Sequence, residues 1–221
     1  MQNFSTFIFD VDGTIAHTNK LIFESFRHVA KKYLNKDVSD EEIISLFGPT
    51  EDVILKEWMK GNYETARDDY FEFYSSQHNI LVKTFEGLEE ILKLLQTHNK
   101  NLAVFTGKGK DSARITLGKL GLDKYFQLVV SGDDVVNHKP SHEGLEKIIN
   151  YFNISCDEAL MIGDSPHDIE AARDANIKVA SVVWDSYAKD KVISMKPDYL
   201  FENVPELKSF VENILKTRED K

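Results

Sequence analysis

A short apolar run at residues 7–9 ends directly on two aspartates, Asp10 and Asp12, which are followed by a Gly-Thr pair. An apolar run of this length beside a glycine is typical of a buried strand that ends in a turn. Such a strand would bring two carboxylates to one point at its carboxyl end. This feature restricts the fold more than any other, because buried carboxylates need partners.

Short apolar runs alternate with helical periodicities along most of the chain. Strands are predicted over residues 4–10, 101–106, 127–131, 159–163, 178–184 and 198–201. Helices are predicted over residues 88–96, 110–120, 144–152, 169–176 and 205–216. This alternation predicts an α/β fold with a mostly parallel sheet that is covered on both faces.

The region after the first strand breaks the alternation, and no second strand is expected before residue 101. Amphipathic helices are predicted instead over residues 19–34, 40–47, 51–60 and 63–78. Ser39 and Glu42 have the spacing of a capping box at the start of the second of these helices. We therefore interpret residues 15–83 as an all-helical insert in a core formed by residues 1–14 and 84–221.

Charge and cysteine content restrict the partners and the environment of the chain. The formal net charge is −10 at pH 7 and there is no long run of lysine or arginine, which argues against nucleic acid as a partner. No apolar run approaches the roughly 18 residues of a membrane helix, and no basic segment precedes an apolar stretch at the N-terminus. The single cysteine, Cys156, forms no internal disulfide, so a cytoplasmic protein without membrane contact is expected.

Polar side chains and one glycine backbone lie at or shortly after the ends of four predicted strands. Because the carboxyl ends of parallel strands meet at one edge of the sheet, these residues are expected to converge. They are Asp10, Asp12, Thr106, Gly107, Lys139, Asp164 and Asp168. Oxygen ligands suit Mg²⁺, one carboxylate can attack phosphorus, and a second can transfer the proton. A lysine, a hydroxyl and a backbone N–H can hold the phosphoryl oxygens, so the set is typical of phosphoryl transfer.

Other site motifs do not match this sequence. The glycine of the segment DVDG is in the fourth position rather than the sixth position of a calcium loop. The segment TGKGKDS lacks the spacing of a Walker loop and the third glycine of a dinucleotide-binding loop. The histidines have no paired metal-ligand spacing on one helix face, which argues against zinc.

The four segments DVDGT, VFTGK, NHKP and GDSPHD together resemble, in order, the four motifs of haloacid dehalogenase superfamily phosphohydrolases. The resemblance implies a Rossmann-like, doubly wound parallel sheet with an inserted helical cap of the C1 type. It also implies that Asp10 is the nucleophile, that Asp12 is the general acid and base, and that Lys139 neutralises charge. Thr106 and the Gly107 amide would hold the phosphoryl group. Mg²⁺ would be bound by Asp10, the carbonyl of Asp12, Asp164 and, directly or through water, Asp168.

The helical insert is expected to provide substrate contacts. Its segment FGPTED resembles a stretch of phosphoglycolate phosphatase-like and pyrophosphatase-like members that is often Gly-Pro-Pro-Leu, with Thr50 and Glu51 in place of Pro-Leu. Candidate substrate contacts are His17, Asn19, Arg27, Gly48 and Lys108.

The resemblance implies a phosphatase for small phosphorylated metabolites such as phosphoglycolate-like monoesters, acting through an aspartyl-phosphate as a monomer or homodimer. A pyrophosphatase, a β-phosphoglucomutase-like mutase and a catalytically idle ligand-binding protein are the alternatives. All of the acidic residues and the lysine of the four motifs are present, which argues against a catalytically idle binding protein. The presence of Asp12 argues against a dehalogenase and against carbon–phosphorus cleavage.

Overall fold

The computed structural model describes residues 4–216. The strands are β1 (Thr6–Phe9), β2 (Ala16–His17), β3 (Lys83–Thr84), β4 (Asn101–Phe105), β5 (Leu128–Val130), β6 (Ala159–Gly163), β7 (Lys178–Val182) and β8 (Tyr199–Phe201). The α-helices are α1 (Asn19–Leu34), α2 (Asp40–Ile44), α3 (Glu51–Met59), α4 (Tyr63–Leu81), α5 (Leu88–Thr97), α6 (Lys110–Leu120), α7 (Glu143–Phe152), α8 (Pro166–Asp174), α9 (Lys189–Ser194) and α10 (Val204–Lys216).

Six strands form one parallel sheet in the order β5-β4-β1-β6-β7-β8. β1 lies in the centre, where Phe9 is paired with Val104 on one side and with Ile162 on the other. The side chains of β1 are fully buried, because helices cover both faces of the sheet. This arrangement confirms the predicted α/β class.

The two faces of the sheet have separate apolar cores. On one face, Leu92 of α5 and Val211 of α10 belong to a buried cluster that also includes side chains of the helical insert. On the other face, Ile148 of α7, Ile169 of α8 and Val192 of α9 belong to a second cluster. Layers on both faces leave the carboxyl ends of the strands open to hold a site.

Helices α1 to α4 all lie between β1 and β4 in the sequence. Phe26 of α1 and Tyr70 of α4 are fully buried, with ring centroids 5.1 Å apart, at the centre of this helical insert. Helix α4 also packs on α6 of the core, where the hydroxyl groups of Tyr74 and Thr116 are 2.8 Å apart. The insert therefore shares a buried contact with the core.

The prediction of no strand between the first strand and residue 101 is wrong. Strands β2 and β3 pair antiparallel, with Ala16 opposite Thr84 and His17 opposite Lys83. Each has only two residues, which is too short to show a period of two in the sequence. β2 lies where the chain passes from the core to the insert, and β3 lies where it returns, so their pairing joins the two connections.

Several element ends also differ from the prediction. Helix α8 begins at Pro166, three residues before the predicted start, because Ser165 and Asp168 form a capping box and proline is tolerated in the first turn. The capping box predicted at Ser39 and Glu42 is confirmed. Helix α9 was not predicted. No helix within residues 4–216 combines the length and the apolar character that a membrane crossing requires.

Candidate active site

The candidate site lies beyond the carboxyl ends of β1 and β6, which are neighbours in the sheet although far apart in the sequence. The direction in which the chain adds strands to the sheet reverses at this point: β4 and β5 lie on one side of β1, and β6, β7 and β8 lie on the other side. The connections leave in opposite directions there and open a crevice. Asp10 directly follows β1, and Asp164 directly follows β6.

Three buried carboxylates meet in this crevice. Asp10, Asp164 and Asp168 each offer an oxygen that lies within 4.8 Å of the others. Burial raises the pKa of Asp10 from 3.8 to about 7, although Lys139 opposes the shift. Burial and then the charge of Asp10 raise the pKa of Asp164 well above its ordinary value. Carboxylate oxygens this close together favour the binding of a cation, and a site whose ligands are all oxygen atoms suits a hard divalent ion.

Gly13 makes the close approach of these carboxylates possible. Its φ of +74° is in the left-handed region that glycine adopts without strain. A Cβ atom at this position would lie 2.4 Å from Oδ2 of Asp164. Any side chain at residue 13 would therefore displace the carboxylate that follows β6.

Lys139 connects two of the three carboxylates. Its ammonium donates to Oδ1 of Asp10 at 3.0 Å, to Oδ1 of Asp168 at 2.6 Å and to the carbonyl of Phe105 at 2.7 Å. Oδ2 of Asp168 accepts hydrogen bonds from the backbone and hydroxyl of Ser165 at the start of α8. Asp168 therefore holds Lys139 in place and also caps a helix.

Asp12 has a different set of partners from Asp10. The ammonium of Lys108 lies 3.0 Å from its Oδ1 and 3.1 Å from its Oδ2, and the hydroxyl of Thr18 donates to Oδ1. Burial opposes the charge of Lys108, yet its pKa is raised because the nearby Asp12 carboxylate favours the ammonium. The side chain of Asp12 is 23% exposed, more than that of Asp10 at 11%, so Asp12 is the carboxylate with better access to solvent.

The loop after β4 brings a hydroxyl and backbone groups to the same crevice. Thr106 is buried, and its Oγ1 accepts a hydrogen bond from the backbone N–H of Lys108 at 3.3 Å. Gly107 lies between them and faces the cavity. The geometry therefore brings together the groups that the sequence predicted at the ends of β1, β4 and β6.

A cavity of about 130 Å³ lies between this charged floor and the helical insert. Its wall on the insert side is mainly apolar and is formed by Ile22, Phe26, Phe47, Pro49 and Ile54. Among the described residues that line the cavity, the two lysines, Lys108 and Lys139, come from the core, and there is no arginine. The cavity thus has a charged end and an apolar end.

The predicted substrate contacts divide into two groups. Asn19, Gly48 and Lys108 line the cavity, whereas His17 and Arg27 are not among the described residues that line it. The ring of His17 packs against that of Phe85 at a tilt of 50°, and its Nδ1 lies 3.3 Å from Oδ2 of Asp185. Arg27 pairs with Glu24 and Asp40 on the insert.

Sequence reasoning missed several lining residues. Ser165, His167 and Tyr187 come from the core, and Glu51 comes from the insert. In the sequence, Glu51 stands out only as a departure from a family pattern, because its buried position depends on how α3 approaches the core. Ile22 and Phe26 of the apolar wall have helical spacing in the sequence, and periodicity does not distinguish core residues from cavity residues.

Comparison with known proteins agrees with this geometry. A family model described as haloacid dehalogenase-like hydrolase matches residues 7–182. Pyrophosphatase PpaX of Listeria welshimeri is 32% identical over 210 residues, which cover 95% of this chain and 97% of that protein. Pyrophosphatase PpaX of Halalkalibacterium halodurans is 33% identical over 207 residues, which cover 94% of this chain and 96% of that protein.

Solved structures have the same fold. The crystal structure of a predicted phosphoglycolate phosphatase from Haemophilus somnus matches with a TM-score of 0.84. The match covers 95% of this chain and 99% of that chain, at 20% sequence identity. The similarity at this level of identity is one of architecture.

Proposed function

We propose a reaction for this chain on two grounds: it belongs to the haloacid dehalogenase-like hydrolase family, and its two aspartates at residues 10 and 12 have separate partners. The chain is a phosphohydrolase. Its proposed reaction is Mg²⁺-dependent hydrolysis of small phosphomonoesters through a phosphorylated Asp10. The observation that carries this proposal is that Lys139 holds Asp10 while Lys108 holds Asp12, so the two carboxylates have separate tasks.

Asp10, Asp164 and the backbone carbonyl of Asp12 are the proposed ligands of Mg²⁺, with Asp168 as a further ligand or as the partner of Lys139. The crowded oxygens of Asp10, Asp164 and Asp168 fit such an ion, since one buried ammonium does not balance three carboxylates. When bound, Mg²⁺ supplies positive charge that stabilises the transferring phosphoryl oxygens.

The proposed first step forms a bond between a carboxylate oxygen of Asp10 and phosphorus, and it breaks the bond from phosphorus to the leaving oxygen. As this bond breaks, a proton passes from the carboxyl group of Asp12 to the leaving oxygen. In the second step Asp12 takes a proton from water as the water oxygen attacks phosphorus. The acyl-phosphate bond breaks, inorganic phosphate leaves, and Asp10 returns to its carboxylate form.

Thr106, the Gly107 amide and Lys139 are proposed to hold the oxygens of the phosphoryl group. All three line the cavity at its charged end. Fixed donors of this kind stabilise the charge that develops during transfer without moving in the reaction.

The insert at residues 15–83 is proposed to be a cap domain that selects the leaving group. Its apolar wall at Ile22, Phe26 and Ile54 favours a small leaving group without charge. The relatives named pyrophosphatase make inorganic pyrophosphate the second candidate substrate. The wall argues against it, because the second anionic group of pyrophosphate would face the apolar side chains of the insert, and the described lining on the insert side has no lysine or arginine.

The test measures phosphate release from small alkyl and sugar phosphates, phosphoglycolate, nucleotides and pyrophosphate, with Mg²⁺ and with EDTA. We expect Mg²⁺-dependent release, with the highest kcat/KM for a small monoester with an uncharged leaving group. Asp10→Asn should lose turnover while keeping its unfolding midpoint in urea, because the amide is nearly isosteric and Lys139 keeps its ion pair with Asp168. Turnover by Asp10→Asn at the wild-type rate would exclude the covalent step.

Other outcomes of the panel identify other reactions. Preference for pyrophosphate would select the second candidate. Activity that requires a catalytic bisphosphate would indicate a mutase. Absence of metal-dependent release from every substrate would reject the proposed hydrolysis.

A further inference from the structure

Glu51 is an insert residue whose carboxylate contacts the core at the start of α6. It lies in the first turn of α3, and only 6% of it is exposed. Its Oε2 accepts a hydrogen bond from the backbone N–H of Gly109 at 2.7 Å, and its Oε1 accepts one from the hydroxyl of Ser112 at 2.6 Å. One carboxylate of the insert is therefore bound on both oxygens by the core.

Both hydrogen bonds are made at the start of α6, directly after the loop that contains Thr106 and Gly107. Gly109 is the N-cap residue of α6 and has no side chain to cap it, so Glu51 satisfies a free N–H from another part of the chain. A Cβ atom on Gly109 would lie 2.6 Å from Oε2 of Glu51. Glycine is therefore needed here for the carboxylate to dock.

Glu51 also faces the lysine that holds Asp12. The ammonium of Lys108 lies 3.9 Å from Oε1 of Glu51 and 3.0 Å from Oδ1 of Asp12, and its side chain is 1% exposed. The same ammonium lies 5.2 Å from the ring centroid of Tyr74. Buried between these groups, Lys108 has little freedom to move unless one of its two carboxylates moves.

We propose that Glu51 is a positioning residue that couples docking of the insert to the orientation of Asp12, with Lys108 as the link. When the insert is docked, Glu51 fixes the start of α6 and the ammonium of Lys108, and Lys108 in turn fixes the carboxyl of Asp12. The inference rests on the proposed function, in which Asp12 protonates the leaving oxygen.

This role predicts that the effect of removing Glu51 depends on the leaving group. A nitrophenolate leaves without much help from an acid, whereas an alkoxide needs the proton during bond cleavage. Misplacing Asp12 should therefore slow the hydrolysis of an alkyl phosphate more than that of 4-nitrophenyl phosphate. A role in docking alone would affect both substrates by the same factor.

The experiment compares kcat and KM of the wild type, Glu51→Leu and Glu51→Gln with a small alkyl phosphate and with 4-nitrophenyl phosphate. We expect Glu51→Leu to lower kcat for the alkyl phosphate by about ten to a hundred times more than kcat for the nitrophenyl ester. Glu51→Gln should restore part of the loss, because the amide oxygen still accepts one of the two core hydrogen bonds.

Two further variants keep the test decisive. Gly109→Ala keeps every carboxylate in the sequence, but its Cβ would displace the carboxylate of Glu51, so it should reproduce the dependence on leaving group. Arg67→Gln is the matched control, since Arg67 also joins the insert to the core, through Asp111, without contacting Lys108. It should affect both substrates equally.

Equal losses for both substrates in Glu51→Leu and Gly109→Ala, or no loss in either, would overturn the proposed role. A wild-type chain that hydrolyses neither substrate would instead reject the proposed function, and this role with it. The two failures are thus distinguishable.

Discussion

The two sides of the site hold their lysines in different ways. Lys139 donates to Asp10, Asp168 and a carbonyl of β4, so all of its partners belong to the core. Lys108 is equally buried, but it lies between a core carboxylate, Asp12, and an insert carboxylate, Glu51. One lysine is fixed by the sheet, and the other depends on a second part of the chain.

The difference suggests a division of tasks. The described hydrogen bonds of Lys139 are all to core groups, so we expect the groups proposed to bind metal and attack phosphorus to keep their geometry whether or not the insert is docked. The group proposed to transfer the proton takes its position in part from the insert. Under this interpretation, the chemistry of the leaving group is tied to the part of the molecule that contacts it.

The largest effect is expected from exchanging each lysine for methionine. Lys139→Met should lower kcat about a thousandfold for every substrate, because it removes the cation beside Asp10 and a donor to the phosphoryl group. Lys108→Met should lower kcat about a hundredfold, and mainly for poor leaving groups. Steady-state kinetics with aryl and alkyl phosphates measure both.

Stability measurements control for unfolding in these variants. Removing one partner of a buried ion pair costs about 3–5 kcal/mol of unfolding free energy, so urea denaturation should accompany the kinetics. If both variants lost the same factor for all substrates, the contrast between the two lysines would be wrong.

The next effect concerns pH and metal on the core side. The pKa of Asp10 rises from 3.8 to about 7 on folding without metal, so between these values Asp10 binds more protons in the folded chain than in the unfolded chain. The contribution of Asp10 to the unfolding free energy should therefore fall as pH rises from about 4 to 7. Mg²⁺ should reverse this fall, because a cation favours the charged carboxylates.

Urea unfolding at several pH values, with EDTA or with Mg²⁺, measures this effect. Asp10→Asn is the matched variant and should show a weaker pH dependence in EDTA. If the unfolding free energy of the metal-free wild type did not fall relative to that of Asp10→Asn over this pH interval, the raised pKa of Asp10 would be contradicted.

A smaller effect is expected on the insert side. Ile54→Lys places a cation on the apolar wall and should lower kcat/KM about tenfold for a small monoester with an uncharged leaving group. The ratio of kcat/KM for phosphoglycolate or pyrophosphate to that of the neutral monoester should rise. Ile54→Met is the control that keeps the wall apolar, and an unchanged ratio in the lysine variant would show that this wall does not contact the leaving group.

The smallest effect is expected at the outer contact between the insert and the core. Arg67 pairs with Asp52 on the insert and with Asp111 on α6, and these side chains are partly exposed. A double-mutant cycle of Arg67→Gln with Asp111→Asn should give a coupling of about 0.2–1 kcal/mol in unfolding free energy. A larger coupling would mean that docking of the insert depends on this surface pair as well as on Glu51.

The core was predictable because its signals are local. Buried parallel strands such as residues 159–163 are continuous apolar runs, and aspartates at their ends stand out against them. Pairing of β1 with β4 and β6 was not predictable from the runs alone, since it joins segments separated by more than ninety residues of chain.

The insert side was harder to predict because its functional side chains look like ordinary helix residues. Phe26 and Ile54 follow helical spacing whether they face a core or a cavity. Glu51 reads as an acidic first-turn residue at the start of a helix, and only the approach of α3 to α6 shows that it is bound by Gly109 and Ser112. Asp168 also caps helix α8, a role that the motif GDSPHD does not indicate.

The short pair of β2 and β3 has a consequence for how this protein can change. Ala16 and Thr84 are direct partners, so the chain leaves the core and returns to it at almost the same place. A segment attached through two adjacent ends puts no stretch on the scaffold, whatever its length. Helices could therefore be lengthened, shortened or replaced between these ends while the sheet keeps its catalytic loops, which makes this junction a natural place for exchanging specificity modules.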